Sequence, residues 1–215
     1  MLQQYKLIIW DWNGTLFNDL ALTVSIFNQV LKERRLAPIS EQFFQDNLKF
    51  PIDTFYTQIG FRTAQEREAA KQRWNEVYEA HNALCTLQPG ASSLVRRVNE
   101  SGRCQAMLSA HEQRSLSRMV SFTGIAPFFT TISGSSETDS GGSKIARGHQ
   151  LLDIMTKELS IQKSEAVLIG DSVHDHEVAQ SLGIDCILSG LGHVSVSRLS
   201  STGRPVIRSL DELVV

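Results

Sequence analysis

Residues that could form a ligand site, most of them polar, follow several apolar runs of this sequence. These residues are Asp11, Asn13, Thr15, Ser109, Ala110, Asp171 and Asp175. In open α/β sheets, ligands bind beyond the carboxyl ends of the strands. Lys144 starts a helical pattern, where the helix dipole disfavours a cation. Its position makes more sense if it faces an anion, so the sequence predicts one shared anion-binding site.

Each of these residues also has a purely structural interpretation. Asp11 can cap a turn, Ser109 is a common residue at the end of a strand, and acids such as Asp171 and Asp175 are favoured in the first turn of a helix. Any one of them alone is weak support for a site. Their order and positions together favour the shared site over unrelated structural roles.

Short, nearly continuous apolar runs alternate with helical patterns along the chain. Such runs are typical of parallel strands buried on both faces, and the alternation predicts a doubly wound α/β fold with a parallel sheet. The expected strands are Leu7–Trp10, Cys104–Leu108, Phe128–Ile132, Ala166–Ile169 and Asp185–Leu188, and the expected helices are Ser92–Glu100, Gln113–Phe122, Lys144–Leu159 and His174–Leu182. Residues 133–144, rich in Ser and Gly, are expected to form a loop.

Residues 18–84 break this alternation and read as helices. Leu20, Val24, Phe27 and Leu31 share one helical face, and Thr63 with Glu66 forms a capping box. The stretches Glu41–Leu48 and Ile52–Ile59 and the stripe Ala70, Trp74 and Val77 are also helical. We therefore expect a core domain formed by residues 1–17 and 85–215, and a small helical cap domain at residues 18–84.

The composition argues against several classes of partner. The chain has 215 residues and a formal net charge of −2, with Lys and Arg spread along it. We therefore expect neither a nucleic-acid nor a membrane partner. Cys85, Cys104 and Cys186 fit no zinc spacing and leave an odd thiol, which favours reduced cysteines in a cytoplasmic protein. The oligomeric state is open between monomer and homodimer.

Four ordered motifs of the chain resemble those of the haloacid dehalogenase-like hydrolases: DWNGTL, LSA, GGSK and GDSVHD. The similarity covers essentially the whole chain, and the inserted helices match the helical cap of that family. The segment LQPGASSLVRRVNESGRCQAMLS is similar to the phosphoglycolate-phosphatase-like branch. The resemblance implies a Rossmann-like core and a Mg²⁺-dependent phosphohydrolase acting on small phosphorylated metabolites.

The resemblance also implies a role for each motif residue. Asp11 would attack phosphorus and form an aspartyl-phosphate. Mg²⁺ would be held by Asp11, the main-chain carbonyl of Asn13 and Asp171, with support from Asp175. The phosphoryl oxygens would be held by Ser109, the following N–H of Ala110, and Lys144. Because Mg²⁺ and a lysine offset the repulsion between two anions, these roles agree with the physical chemistry.

Asn13 departs from the family pattern, which usually has a second aspartate there to protonate the leaving group. An amide cannot titrate, and losing a general acid typically lowers the rate about 10²- to 10⁴-fold. Two interpretations stay open: a slow or specialised phosphohydrolase, which favours aryl over sugar phosphates, or a phosphate-binding regulatory or interaction protein. His111, His174 and His176 are candidates for a substitute acid, and Lys49 is a candidate contact for a substrate anion.

Overall fold

A central parallel sheet organises the protein. The computed structural model describes residues 1–136 and 144–215. The strands are β1 (Leu7–Trp10), β2 (Phe17–Asn18), β3 (Thr86–Leu87), β4 (Cys104–Glu112), β5 (Thr131–Ser135), β6 (Ala166–Gly170), β7 (Asp185–Ser189) and β8 (Val206–Ile207). Six of them form one sheet in the order β5-β4-β1-β6-β7-β8, and every pairing in it is parallel.

Nine α-helices are present among the described residues, of which α5–α9 pack against the sheet and α1–α4 pack mainly on one another. They are α1 (Leu20–Glu33), α2 (Glu41–Asn47), α3 (Asp53–Gln58), α4 (Ala64–His81), α5 (Ala91–Glu100), α6 (Gln113–Phe122), α7 (Lys144–Leu159), α8 (Val173–Leu182) and α9 (Val196–Ser200). All four residues of β1 and all five of β6 are buried, as expected for strands covered on both faces. The doubly wound α/β fold is therefore confirmed. Among the described helices, none is long and apolar enough to cross a bilayer.

The segment between β2 and β3 contains four helices. The capping box of Thr63 and Glu66 is present at the start of α4. Phe27 of α1 packs its ring against Trp74 of α4, with the ring centroids 5.9 Å apart. β2 and β3 pair with each other as a separate antiparallel ribbon at the two ends of this segment. The segment is thus helical as expected, and its standing as a separate cap domain stays a proposal.

Several predicted boundaries were wrong. The strand expected at Phe128–Ile132 begins instead at Thr131, because Ala126–Phe128 forms a 3-10 turn around Pro127. The loop expected over residues 133–144 is wrong at both ends, since Ser133–Ser135 belong to β5 and Lys144 starts α7; residues 137–143 lie outside the described residues. β5 is at the sheet edge and is mostly half-buried, so a polar sequence can form it.

Candidate active site

Hydrogen bonding between β1 and β6 places Asp11 beside the GDSVHD segment. Trp10 pairs with Ile169, and the Asp11 N–H donates to the Ile169 carbonyl at 2.9 Å. Asp171 follows β6 directly, and the Ser172 side chain caps the start of α8 by accepting from the Asp175 N–H. The two runs of acids therefore meet at the carboxyl ends of neighbouring strands, as predicted.

Two glycines leave room for the Asp171 carboxylate. A Cβ at Gly14 or at Gly192 would lie only 2.1 Å from Asp171 Oδ2. Gly14 also has a φ of 72°, a conformation that suits glycine and lets the chain turn sharply after Asp11. A side chain at either position would displace the carboxylate from the cluster.

Lys144 links two of the acids. Its Nζ donates to Asp11 Oδ1 at 2.5 Å and to Asp175 Oδ1 at 2.6 Å. One ligand oxygen each from Asp11, Asp171 and Asp175 lie within 4.8 Å of one another, and all three residues are buried. Three carboxylates and one lysine therefore share a small buried volume.

The charges in this cluster are only partly compensated. Burial raises the pKa of Asp11 to about 6, although Lys144 opposes the shift. Burial likewise raises the pKa of Asp171 to about 7, against the opposing effect of His193. For Asp175, burial acts in the same direction, but Lys144 outweighs it and the net pKa is lowered. Asp11 and Asp171 thus lack a full counter-charge among the described residues.

This under-compensation fits a divalent cation. Hard cations such as Mg²⁺ take carboxylate oxygens and usually keep water and substrate phosphate as further ligands. A cation beside Asp11 and Asp171 would supply the missing positive charge that burial makes necessary. The described residues therefore form a buried acidic cluster suited to a metal ion.

Asn13 is held by a second, adjacent network. Its Nδ2 donates to Asp19 Oδ2 at 2.8 Å and to the Tyr78 hydroxyl at 2.6 Å, and that hydroxyl donates to Asp19 Oδ2 at 2.7 Å. The Gly14 N–H donates to the other oxygen of Asp19 at 3.0 Å. Both hydrogens of the Asn13 side-chain amide are thus engaged within the protein, so they are not free to contact a ligand.

His193 joins the two networks. Its ring Nε2 lies 3.0 Å from Asp19 Oδ1, an ion-pair distance without hydrogen-bond alignment. Its main-chain N–H donates to Asp171 Oδ2 at 2.6 Å. Burial disfavours the imidazolium, but Asp19 and Asp171 outweigh it and raise the pKa of His193 to about 9. Conversely, burial acts to raise the pKa of Asp19, and His193 reverses this to a net lowering. The pair is therefore ionised at neutral pH.

A cavity of about 810 Å³ opens beside these networks, between the helices of residues 20–81 and the sheet. Its described lining residues include Asn13, Asp19, Ala110, His111 and His193. It is large enough for a small-molecule ligand. It borders the network of Asn13, Asp19 and His193, and His193 in turn contacts Asp171 of the acidic cluster, so it is the candidate substrate-binding cavity.

The predicted phosphoryl-binding residues lie at the same sheet edge. Ser109 is buried and Ala110 is exposed. Both were expected to follow the second long strand, but they lie inside β4, because β4 pairs again with β5 at Glu112 after a bulge. Ser109 Oγ accepts from the His111 N–H at 3.1 Å. Of the GGSK motif, only Lys144 is within the described residues.

The remaining candidates from the sequence are Lys49 and three histidines, and most of them do not line the described part of the cavity. Lys49 is exposed and is not among the described residues lining the cavity. His174 lies 3.1 Å from Glu177, and His176 also falls outside the described lining. His111 does line the cavity, with Nε2 3.2 Å from Glu79, and burial lowers its pKa. It is therefore the nearest of the three predicted histidines to a possible substrate.

Sequence reasoning missed Asp19, Tyr78 and His193. His193 follows β7, so the rule that pointed to the other strand ends applied to it as well. Tyr78 is four residues after Trp74 on the helical stripe that was recognised, so its place on that face was visible. Nothing in the sequence alone shows that its hydroxyl reaches Asn13, because that contact spans 65 residues of chain.

Comparison with known proteins agrees with this geometry. The family model described as haloacid dehalogenase-like hydrolase matches residues 8–189. The chain belongs to the haloacid dehalogenase-like hydrolases. The resemblance noted from the four motifs is thereby confirmed, and with it the class of the enzyme, a phosphatase-like hydrolase.

Three relatives illustrate the range of this family. The tyrosine-protein kinase PtkA of Mycobacterium tuberculosis is 26% identical over 97% of this chain and 71% of its own length. A phosphoglycolate phosphatase of Pseudomonas fluorescens is 25% identical over 98% of this chain and 76% of its own length. A haloacid dehalogenase-like hydrolase from Streptococcus pneumoniae superimposes with a TM-score of 0.76 at 20% identity, covering 95% of this chain and 93% of the other. That last likeness shows a shared fold.

Proposed function

We propose that this protein is a Mg²⁺-dependent phosphohydrolase that forms an aspartyl-phosphate on Asp11 and acts on small phosphorylated metabolites. One observation carries the proposal: Asp11, Asp171 and Asp175 converge with Lys144 in a buried cluster beside a cavity. A binding protein without turnover would not need a nucleophile so placed. Covalent catalysis divides one difficult displacement into two easier steps.

The protein's own residues have distinct tasks in this scheme. Asp11 attacks phosphorus and the bond from phosphorus to the leaving-group oxygen breaks, while Lys144, whose Nζ is 2.5 Å from Asp11, stabilises the charge on the phosphoryl oxygens. Water then hydrolyses the aspartyl-phosphate, which releases inorganic phosphate and restores Asp11. Ser109 and the Ala110 N–H hold those oxygens at the sheet edge. Mg²⁺ would be held by Asp11, the main-chain carbonyl of Asn13 and Asp171. Asp175 would orient Lys144. Bound there, Mg²⁺ would neutralise charge on the phosphoryl group and the carboxylates.

Asn13 supports a phosphohydrolase restricted to substrates with good leaving groups rather than one that acts on phosphate esters in general. It cannot donate a proton as an acid, and its amide hydrogens are occupied by Asp19 and Tyr78. A leaving group that tolerates negative charge, such as a phenolate, needs no proton at that point. We therefore expect aryl phosphates to be cleaved faster than sugar phosphates, whose alkoxides require protonation.

A phosphate-binding regulatory or interaction protein is the second candidate, and the same Asn13 favours it. In that case the cluster would bind phosphate and Mg²⁺ without breaking the ester. The two candidates differ in a single measurable quantity, the release of inorganic phosphate under saturating metal.

Phosphate release from p-nitrophenyl phosphate, measured with Mg²⁺ and with a chelator, tests the proposal. We expect turnover that requires the metal and that is lost in Asp11→Asn, with Asp153→Asn, an exposed position on α7, as the matched control. Full activity in Asp11→Asn would show that Asp11 is not the nucleophile. Because one relative is named a tyrosine-protein kinase, the protein is also given ATP and a tyrosine peptide. Phosphotyrosine formation would reassign the activity from hydrolysis to transfer.

A further inference from the structure

One wall of the cavity is aromatic. Four rings on the helices of residues 20–81 form this wall, which we call the aromatic wall: Phe27, Phe44, Tyr56 and Trp74. The Phe27 centroid lies 5.4 Å from that of Phe44, 5.5 Å from that of Tyr56 and 5.9 Å from that of Trp74. All three contacts are tilted, and Phe27, Phe44 and Tyr56 are buried, whereas Trp74 is only partly buried. Trp74 therefore offers the ring surface that another aromatic group can pack against, with the other three rings behind it.

Apart from His193 Nε2, which faces Asp19, two buried polar atoms of cavity-lining residues have no partner among the described residues. These are the hydroxyl of Thr23, a residue only 4% exposed, and the indole N–H of Trp74. Buried donors are almost always hydrogen-bonded in folded proteins, since leaving one unpaired is costly. An acceptor on a bound molecule would satisfy them.

Charges around the cavity do not suit a small carboxylate substrate. Lys71 is already 3.0 Å from Asp53, and Arg118 is 2.6 Å from Glu79. Asp19 and His193, which also line the cavity, form an ion pair with each other and so offer no free positive charge to a substrate carboxylate. Arg114 is exposed, so water screens any pair that it forms.

We propose that the aromatic wall binds the leaving group of the substrate, and that this group is an uncharged aromatic ring carrying a hydrogen-bond acceptor. The inference rests on the proposed function, because the phosphoryl group must be held by the cluster of Asp11, Asp171 and Lys144. It goes further by naming the chemical class of the substrate. The size of the cavity, about 810 Å³, admits such a group together with the phosphate.

Binding of phosphonates, which the enzyme cannot cleave, tests the subsite without requiring turnover. Calorimetry on the Mg²⁺-loaded protein compares methylphosphonate, benzylphosphonate and 4-methoxybenzylphosphonate. We expect benzylphosphonate to bind about tenfold more tightly than methylphosphonate, which corresponds to about 1.4 kcal/mol. The methoxy oxygen adds an acceptor, so it should strengthen binding by a further few-fold in the wild type.

Variants locate the effect. Trp74→Leu should lose most of the preference for the benzyl group and leave methylphosphonate affinity unchanged. Phe44→Leu should do the same and serves if Trp74→Leu does not fold. Thr23→Val should remove only the gain from the methoxy group. Phe122→Leu, at an exposed phenylalanine outside the described lining of the cavity, is the matched control and should change nothing.

The outcomes separate the two proposals. Equal, measurable affinities for methyl- and benzylphosphonate would overturn the aromatic subsite and leave the phosphohydrolase proposal intact. Equal affinities for benzylphosphonate and 4-methoxybenzylphosphonate would overturn the claim that the subsite binds a hydrogen-bond acceptor on the ring. If no phosphonate binds, the phosphoryl site itself is wrong and the subsite falls with it. Turnover adds an independent arm: 2-phenylethyl phosphate should exceed propyl phosphate in kcat/KM, although both release an alkoxide.

Discussion

At the scale of single residues, Asn13 and Asp19 are a matched pair. Asn13 donates to Asp19 at 2.8 Å, so an acid at position 13 would face a buried carboxylate. Two unit charges about 4 Å apart repel by roughly 4 kcal/mol at an effective dielectric near 20. Asp19 therefore favours an uncharged residue at position 13, which accounts for Asn13 in place of the usual aspartate. The sequence showed the departure, but its partner six residues later appeared only in the structure.

Exchanging the two side chains tests this pairing. We expect Asn13→Asp to lower the melting temperature at about pH 8, where the new acid must ionise beside Asp19 or keep a proton at a cost. The double variant Asn13→Asp with Asp19→Asn keeps one charge in the pair and should recover much of the loss. Melting curves of four proteins, the wild type, the two single variants Asn13→Asp and Asp19→Asn, and the double variant, measure the compensation. Additive losses in the double variant would show that the two positions are not coupled.

The same variants report on the missing acid. If turnover is limited by the leaving group, an acid at position 13 should raise alkyl-phosphate hydrolysis more than aryl-phosphate hydrolysis, since only the alkoxide lacks a proton. The rates on both substrates are compared under saturating Mg²⁺. A uniform change on the two substrates would mean that another group, such as His111 in the cavity, already supplies the proton.

Lys144 is the residue whose loss should affect the chemistry most directly. Its Nζ contacts Asp11 and Asp175, so Lys144→Ala would leave both buried carboxylates without their shared cation. We expect kcat to fall about 10²- to 10³-fold, as when other charge-stabilising groups are removed. Lys163→Ala, an exposed lysine before β6, is the control and should retain activity. Near-normal turnover by Lys144→Ala would exclude a role in phosphoryl stabilisation.

At the scale of elements, strongly periodic segments were predictable and short or edge segments were not. Gln113–Phe122 and Lys144–Leu159 are helices with the predicted bounds, because their apolar positions recur at helical spacing. β2, β3 and β8 have two residues each, too few to show any period. β5 is polar because its edge position leaves it half-buried. Length therefore hid the two-residue strands, and partial burial, which the sequence shows only indirectly, hid the bounds of β5.

Helix α4 contributes to the site through Tyr78, so removing one hydroxyl tests how that helix supports the core. Tyr78→Phe would deprive half-buried Asn13 and buried Asp19 of one partner each, at a cost of about 1–3 kcal/mol in the free energy of unfolding. It should also lower kcat on aryl phosphates, because Asn13 would no longer be held. Tyr56→Phe removes a hydroxyl that makes no hydrogen bond to a described residue and is the matched control for stability. Equal stability of the two variants would contradict the network.

At the scale of the whole molecule, the sheet and the helices of residues 20–81 act together to bury charge. Parallel strands bring Asp11 and Asp171 to one edge, and the helical segment contributes Tyr78 to the network beside them. The convergence of acids was predictable, because strand ends in this fold class meet at one edge. The degree of their burial was not, since it depends on packing from every side. That burial is what raises the pKa values of Asp11 and Asp171.

The raised pKa values couple metal binding to the stability of the whole protein. In the metal-free state, the pKa of Asp11 is about 6 and that of Asp171 about 7, above the range of an exposed aspartate, so the folded state binds protons more tightly than the unfolded one. Metal-free stability should therefore fall as the pH rises from about 4 to about 7. The pKa of His193 is also raised, from 6.5 to about 9, so its contribution to stability is lost as the pH rises from about 6.5 to about 9.

Because Mg²⁺ requires these carboxylates ionised, protons compete with it. The increase in melting temperature on adding saturating Mg²⁺ should thus be larger at about pH 8 than at about pH 5.5. Asp171→Asn should abolish most of that increase at both pH values, whereas Asp153→Asn, exposed on α7, should keep it. A Mg²⁺ effect that does not depend on pH, or that survives in Asp171→Asn, would place the metal elsewhere than this cluster.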